Sequence, residues 1–269
     1  MPTTIGMLDS GVGGLTILRA IREQLPGQPV VYLADQAHVP YGVRQVEEVR
    51  GFTKEITQFL IDQGAKLIVI ACNTASVAAL GYLRKEFPDI PFVGMEPAVK
   101  PAAEQTKTGV VGVLATYATF QTDVYNSVVE RFAKNVTLLQ NHCPGLVNQI
   151  EKGDLSGVET RRILESALRP MIAKGIDTVV LGCTHYPFVI PLIQEIVGPS
   201  VRVIDPAPAI ARQTQRLLTE RGWLADGQIS SEIRIITTGN AQLIENNLPL
   251  FLGYHLPVES IHWLDGKLG

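Results

Sequence analysis

The chain has 269 residues, 46% of them hydrophobic, which is enough to bury the core of one large or two modest domains and too apolar for disorder. Its 23 basic against 26 acidic residues give a net charge of −3, which excludes the basic stripe that a phosphate backbone demands, so a small molecule is expected as partner and no nucleic acid. The start lacks a signal-peptide pattern, no apolar run approaches the ~18 residues that cross a bilayer, and three cysteines suit reduced thiols, so no membrane partner and a cytoplasmic location are expected.

The first apolar run, "IGML" at 5–8, leads into a glycine-rich turn, "DSGVGG" at 9–14, and then an amphipathic stretch. Further runs follow at "VVYLA" (30–34), "LIVIA" (67–71), "VVGVL" (110–114), "VVLG" (179–182) and "VRVI" (201–204), with helix-length segments between them. That alternation is the rhythm of βαβ units. The runs are continuous in apolar character, as strands are when helices cover both faces of a parallel sheet. A doubly wound α/β protein is predicted.

The pattern also repeats. "FLIDQGAKLIVIACNT" reaches Cys72 eight residues after Gly64, and "PMIAKGIDTVVLGCTH" reaches Cys183 eight residues after Gly175. "IGMLDSGVGGLTILRAI" has an echo in "VVGVLATYATFQTDVYNSV". Two similar α/β domains are the simplest reading. Ligands of open parallel sheets bind beyond the carboxyl ends of the strands, where Asp9, Cys72, Thr116 and Cys183 are expected. If those edges face each other, the residues converge on one cleft.

Both cysteines follow a strand and precede a predicted helix, "ASVAALGYLRKEF" after Cys72 and "PFVIPLIQEIVG" after Cys183. Helix N-termini favour thiolate over thiol. A lone cysteine is more often a small buried hydrophobe, and Cys143 in "NHCPG" is read that way. Around the other two, Asn73, Thr74, Thr184 and His185 are costly to bury without a purpose. His185 can relay protons or fix a thiol's charge state. A zinc site from Cys72, Cys183 and His185 lacks the usual ligand spacings, so no metal is expected. The rival reading of "DSGVGG" is a dinucleotide turn, with Asp35 near the position of a ribose-binding acid. The third glycine of that fingerprint is missing, and Asp9 would face the pyrophosphate. A turn that presents Asp9 and Ser10 is preferred.

"DSGVGG", "PYG" at 40–42, "ACNTA" and "GCTHYP", in this order, resemble the glutamate racemase family, cofactor-independent enzymes of bacterial cell-wall synthesis. The resemblance runs over nearly the whole chain. It implies two α/β domains related by a pseudo-twofold axis, with the active site in the cleft between them. It assigns residues 1–97 and 208–269, including the strand-like "EIRIITTG" at 232–239, to the first domain and 98–207 to the second. It makes Cys72 and Cys183 the acid–base pair, assisted by Asp9 and His185. Ser10, Pro40, Tyr41, Gly42, Asn73, Thr74 and Thr184 then line the amino-acid pocket, Thr116 and Thr119 match a threonine-bearing turn, and Glu151 matches an acid near the second cysteine. The sequence departs from the family at Gln36 and His38, where a threonine and an arginine are more usual, read here as variation at the entrance. No cofactor is expected, and a homodimer is the expected assembly.

The chemistry follows from inversion at an α-carbon, which removes a proton from one face and returns one to the other. Two thiols on opposite sides are the direct solution. The resemblance has Cys72 deprotonate D-glutamate and Cys183 deprotonate L-glutamate. An aspartate racemase and a non-catalytic amino-acid-binding protein are the alternatives that share much of this inventory.

Overall fold

The computed structural model describes residues 3–96, 98–225 and 232–269. The chain divides into two compact units, Met1–Met95 with Ala207–Gly269, and Glu96–Pro206. Pro97, the last residue of the expected first segment, lies outside the described residues.

The first unit holds β1 (Thr4–Asp9), β2 (Val30–Ala34), β3 (Ala65–Ile70) and β4 (Phe92–Gly94), and the second holds β5 (Val110–Ala115), β6 (Thr137–Asn141), β7 (Thr178–Gly182) and β8 (Arg202–Ile204). The chain then returns to the first unit with β9 (Ile233–Thr237), β10 (Val258–Ser260) and the short strands β11 (Trp263–Leu264) and β12 (Lys267–Leu268). One sheet has the order β10-β9-β2-β1-β3-β4 and the other β6-β5-β7-β8; all pairs in both are parallel. Only β11 and β12 form an antiparallel pair among the described residues. No helix among them is long and apolar enough to cross a membrane.

The six predicted apolar runs are strands, and β2 and β7 are buried at every position, as sheets covered on both faces require. The order β2-β1-β3-β4 recurs as β6-β5-β7-β8, so the repeat read from the sequence is a repeat of topology. Its glycines mark the same turn. The helices Val46–Asp62 and Val158–Ala173 each end two residues before a glycine, Gly64 or Gly175, at φ +88° and +78°, a left-handed stop that an L side chain adopts only with strain.

In each sheet the crevice between oppositely directed connections lies beyond the second and third strands of the repeated order. There β1 delivers Asp9 and β3 leads to Cys72; β5 delivers Thr116 and β7 leads to Cys183. At the second crevice the strands pack closely: a Cβ on Gly182 would come within 2.8 Å of Ala115 Cβ. The core beneath the first includes Leu8, Ile68, Ile70, Ala75 and Leu83, together with Tyr41 and Cys72.

Candidate active site

In the first unit, "DSGVGG" is a device for holding Asp9. The Gly14 N–H donates to Asp9 Oδ2 at 2.6 Å, and Asp9 is fully buried. A Cβ on Gly14 would fall 2.9 Å from Asp9 Cβ and from the Tyr32 ring, whose hydroxyl donates to the Gly11 carbonyl at 2.6 Å. The glycine is therefore demanded by this packing. The neighbouring Ser10 meets the thiol: its Oγ lies 4.0 Å from Cys72 Sγ.

Cys72 caps the helix Asn73–Glu86, and its sulfur accepts from the Ala75 N–H at 3.4 Å. A sulfur in the capping position faces the positive end of the helix, where negative charge is stabilised. Asn73 and Thr74, on the first turn, are buried; Asn73 Oδ1 has no hydrogen-bond partner among the described residues. A buried acceptor left without a donor is a cost that a ligand's donor can remove.

The turn Pro40-Tyr41-Gly42 is fixed from below. The Tyr41 hydroxyl donates to Asp35 Oδ2 at 2.7 Å, and burial, with Asp35 next to it, pushes the phenol well above its ordinary pKa. Asp35 also receives His38 Nδ1 at 2.9 Å, the Thr238 hydroxyl at 2.8 Å and the Trp263 indole N–H at 2.7 Å. A carboxylate surrounded by these internal donors has no room for a ribose hydroxyl, so the dinucleotide reading of Asp35 fails. His38, whose ring stacks on Phe52 with centroids 3.8 Å apart, also belongs to this network.

In the second unit the sequence expectation needs a correction. Cys183 does not cap an α-helix. A 3-10 turn, Tyr186–Val189, intervenes, and the α-helix begins only at Ile190. Pro191 explains the difference, since it lacks the N–H that an α-helix running on from Tyr186 would donate to the Pro187 carbonyl. What the helix gives Cys72, an imidazole gives Cys183. His185 Nδ1 lies 3.8 Å from Cys183 Sγ, and His185 Nε2 lies 2.5 Å from Glu151 Oε1. Burial lowers the pKa of His185, but its hydrogen bonds to Cys183 and Glu151 outweigh that and hold it well above the ordinary histidine value. Thr184 is buried in the same turn. Thr116 and Thr119 share a hydroxyl–hydroxyl hydrogen bond of 3.0 Å. Cys143 is a buried thiol pushed up to about 12 by burial and by Cys183, so it stays protonated at neutral pH.

The raised pKa of His185 sets a pH dependence of stability. Its stabilising contribution is complete below the unfolded value, about 6.5, and is lost as pH rises through the higher folded value. Unfolding by urea should therefore show the largest stability gap between wild type and Glu151→Gln near pH 6, shrinking as pH rises through the raised folded value. A gap that widens as pH rises contradicts a histidine held protonated by Glu151.

The sequence thus identifies the residues that come together as Ser10 with Cys72, Thr116 with Thr119, and Cys183 with His185 and Glu151. It assigns no role in the site to Thr238, Phe52 or Trp263, which lie up to 228 positions from Asp35 and carry no motif.

The family model described as Asp/Glu/Hydantoin racemase matches residues 6–214. The chain belongs to this family. It is 48% identical over 249 residues to the glutamate racemase of Pseudomonas aeruginosa, covering 93% of this chain and 94% of that one. The structure of Escherichia coli glutamate racemase in complex with L-glutamate and the activator UDP-MurNAc-ala aligns with a TM-score of 0.86 at 31% identity, over 97% of this chain and 99% of the other. Glutamate racemase from Francisella tularensis in complex with D-glutamate aligns with a TM-score of 0.82 at 30% identity, over 96% and 97%. The resemblance carried by four short motifs thus holds along nearly the whole chain.

Proposed function

We propose that the protein interconverts L- and D-glutamate without a cofactor, by a two-thiol acid–base mechanism, and so supplies D-glutamate for peptidoglycan synthesis. The observation that carries this reading is the repeated topology: two buried cysteines follow equivalent strands, each with its own means of handling charge or protons. The glutamate-bound relatives from E. coli and F. tularensis support the substrate.

In this reading the substrate lies with one thiol on each face of its α-carbon. For L-glutamate, Cys183 as thiolate takes the α-proton and the Cys72 thiol returns one to the opposite face; D-glutamate runs the same steps in reverse. After one turnover the protonation states of the two sulfurs are exchanged, and solvent resets them. His185, held by Glu151, can take or return the proton at Cys183, while the helix N-terminus and Ser10 back Cys72. Asn73 Oδ1 is an acceptor for the substrate ammonium group. The hydroxyls of Thr74, Thr116, Thr119 and Thr184 are donors suited to two carboxylates. An α-proton is much less acidic than a thiol, so the carbanion needs fixed donors in a site closed to water.

The test is a racemisation assay from either enantiomer after exhaustive dialysis and chelation. Full activity with glutamate, and little with aspartate, is expected. Dependence on added pyridoxal phosphate, nicotinamide or metal would refute the cofactor-independent reading. Tight binding of glutamate without any loss of optical rotation would favour a non-catalytic binding protein.

A further inference from the structure

Asp35 is a fully buried carboxylate at the end of β2, and its donors come from three separate stretches of chain. His38 and Tyr41 belong to the loop that carries Pro40-Tyr41-Gly42, Thr238 follows β9, and Trp263 lies on the β11–β12 hairpin. His38 is the one donor able to carry a charge, so the carboxylate depends on hydrogen bonds more than on an ion pair. The rings tie the same segments together. His38 stacks on Phe52, and Trp263 presents its edge to both, at 5.1 Å from His38 and 5.6 Å from Phe52. Tyr41 spends its hydroxyl on Asp35, which makes it the anchor of the turn.

We infer that Asp35 is a positioning residue that couples the β11–β12 hairpin to the Pro40-Tyr41-Gly42 turn, so that Trp263, though remote in sequence, sets how well that turn binds substrate. A donor withdrawn from one oxygen leaves the carboxylate to be satisfied by movement of the remaining partners, and His38 and Tyr41 are in the loop itself. The effect reaches the turn and leaves the sheet beneath it intact, because β2 keeps its pairing to β1 and β9. The substrate part of this inference rests on the proposed racemase activity; the coupling part does not.

The first variant is Trp263→Phe, which keeps an aromatic ring to face His38 and Phe52 and removes the N–H together with part of the indole's bulk. Thr238→Val is the second variant, removing another donor to the same oxygen at nearly equal volume; because Thr238 Oγ1 also accepts the Ala37 N–H at 3.0 Å, its effect on the coupling is read at residues 38–45 alone. Amide hydrogen exchange of residues 38–45, measured without substrate, should quicken about tenfold in each, the effect of losing one hydrogen bond to a charged group, while β1 and β3 exchange as in wild type. In the racemisation assay KM for glutamate should rise about tenfold with kcat within about twofold, because binding in ground state and transition state weakens alike. Wild-type exchange in the loop of both variants overturns the coupling. Uniformly faster exchange across the unit, with kcat and thermal midpoint falling together, also overturns it, since that marks a general structural role. A quickened loop with unchanged KM keeps the coupling and overturns its control of substrate binding. A wild-type protein that fails to racemise glutamate sinks the proposed activity alone, and the exchange measurement still decides the coupling.

Discussion

Cys72→Ser and Cys183→Ser are each expected to abolish racemisation in both directions, while Cys143→Ser stays active. Serine preserves the shape of the site, but its hydroxyl is far too weak an acid to become the base at neutral pH. The loss should be at least on the order of 10²–10⁴-fold, the range that a positioned acid or base contributes. Both variants fail in both directions because each turnover needs one group on each face. Cys143 differs in kind: it is buried, its thiol is pushed up to about 12, and it caps nothing. Its replacement by serine should cost about 1–3 kcal/mol of stability for a buried hydroxyl and leave turnover in place. Circular dichroism from pure L- and pure D-glutamate measures both directions, and urea unfolding verifies that the variants are folded. Near-normal turnover in either of the first two variants is decisive against the mechanism.

The second large effect is isotopic. L-glutamate turned over in D₂O and stopped early should yield D-glutamate with deuterium at the α-carbon, while recovered L-glutamate stays largely protiated. In the proposed two-thiol mechanism, the thiol that delivers to the product face has exchanged with solvent beforehand. The cysteine that takes the substrate proton can give back only that proton until it exchanges. A single base moving between faces would carry the original hydrogen across. Mass spectrometry after chiral separation reads both pools, and early D-glutamate rich in α-protium refutes two bases even if both cysteines prove essential.

How much of this was legible in the sequence depends on range. β1, β2, β3, β5 and β7 are readable because their side chains are apolar and mostly buried, a local property; β8, three residues with none buried, is readable only through the apolar run "VRVI" that includes Val201 before it. β6, "TLLQN", escaped because its positions are half-exposed or exposed, so no continuous apolar run marks it. β4 and β10 have three residues each, too few for any periodicity. Around the thiols, the adjacent pairs were legible: Asn73 beside Cys72, His185 beside Cys183. The helix expected over "PFVIPLIQEIVG" is present, but it opens as a 3-10 turn, Tyr186–Val189, and becomes an α-helix only at Ile190, because Pro191 lacks the N–H needed to continue an α-helix through that turn. Asp35 was visible only as a possible ribose acid. Its actual partners, Thr238 and Trp263, are brought in by the return of the chain to the first unit, and no local pattern encodes that.

The unequal backing of the two thiols has a thermodynamic corollary. Cys72 is supported by backbone amides at a helix end, which do not titrate, and Cys183 by an imidazole and a carboxylate, which do. Enantiomers have equal free energies in an achiral solvent, so the equilibrium constant is unity and kcat/KM must be identical from L and from D at every pH. Whatever asymmetry the supports impose can therefore enter only as matched changes in kcat and KM. The direction with the higher turnover number must show the weaker apparent affinity in the same ratio, and acidification or alkalinisation can slide the two directions along that line but never off it.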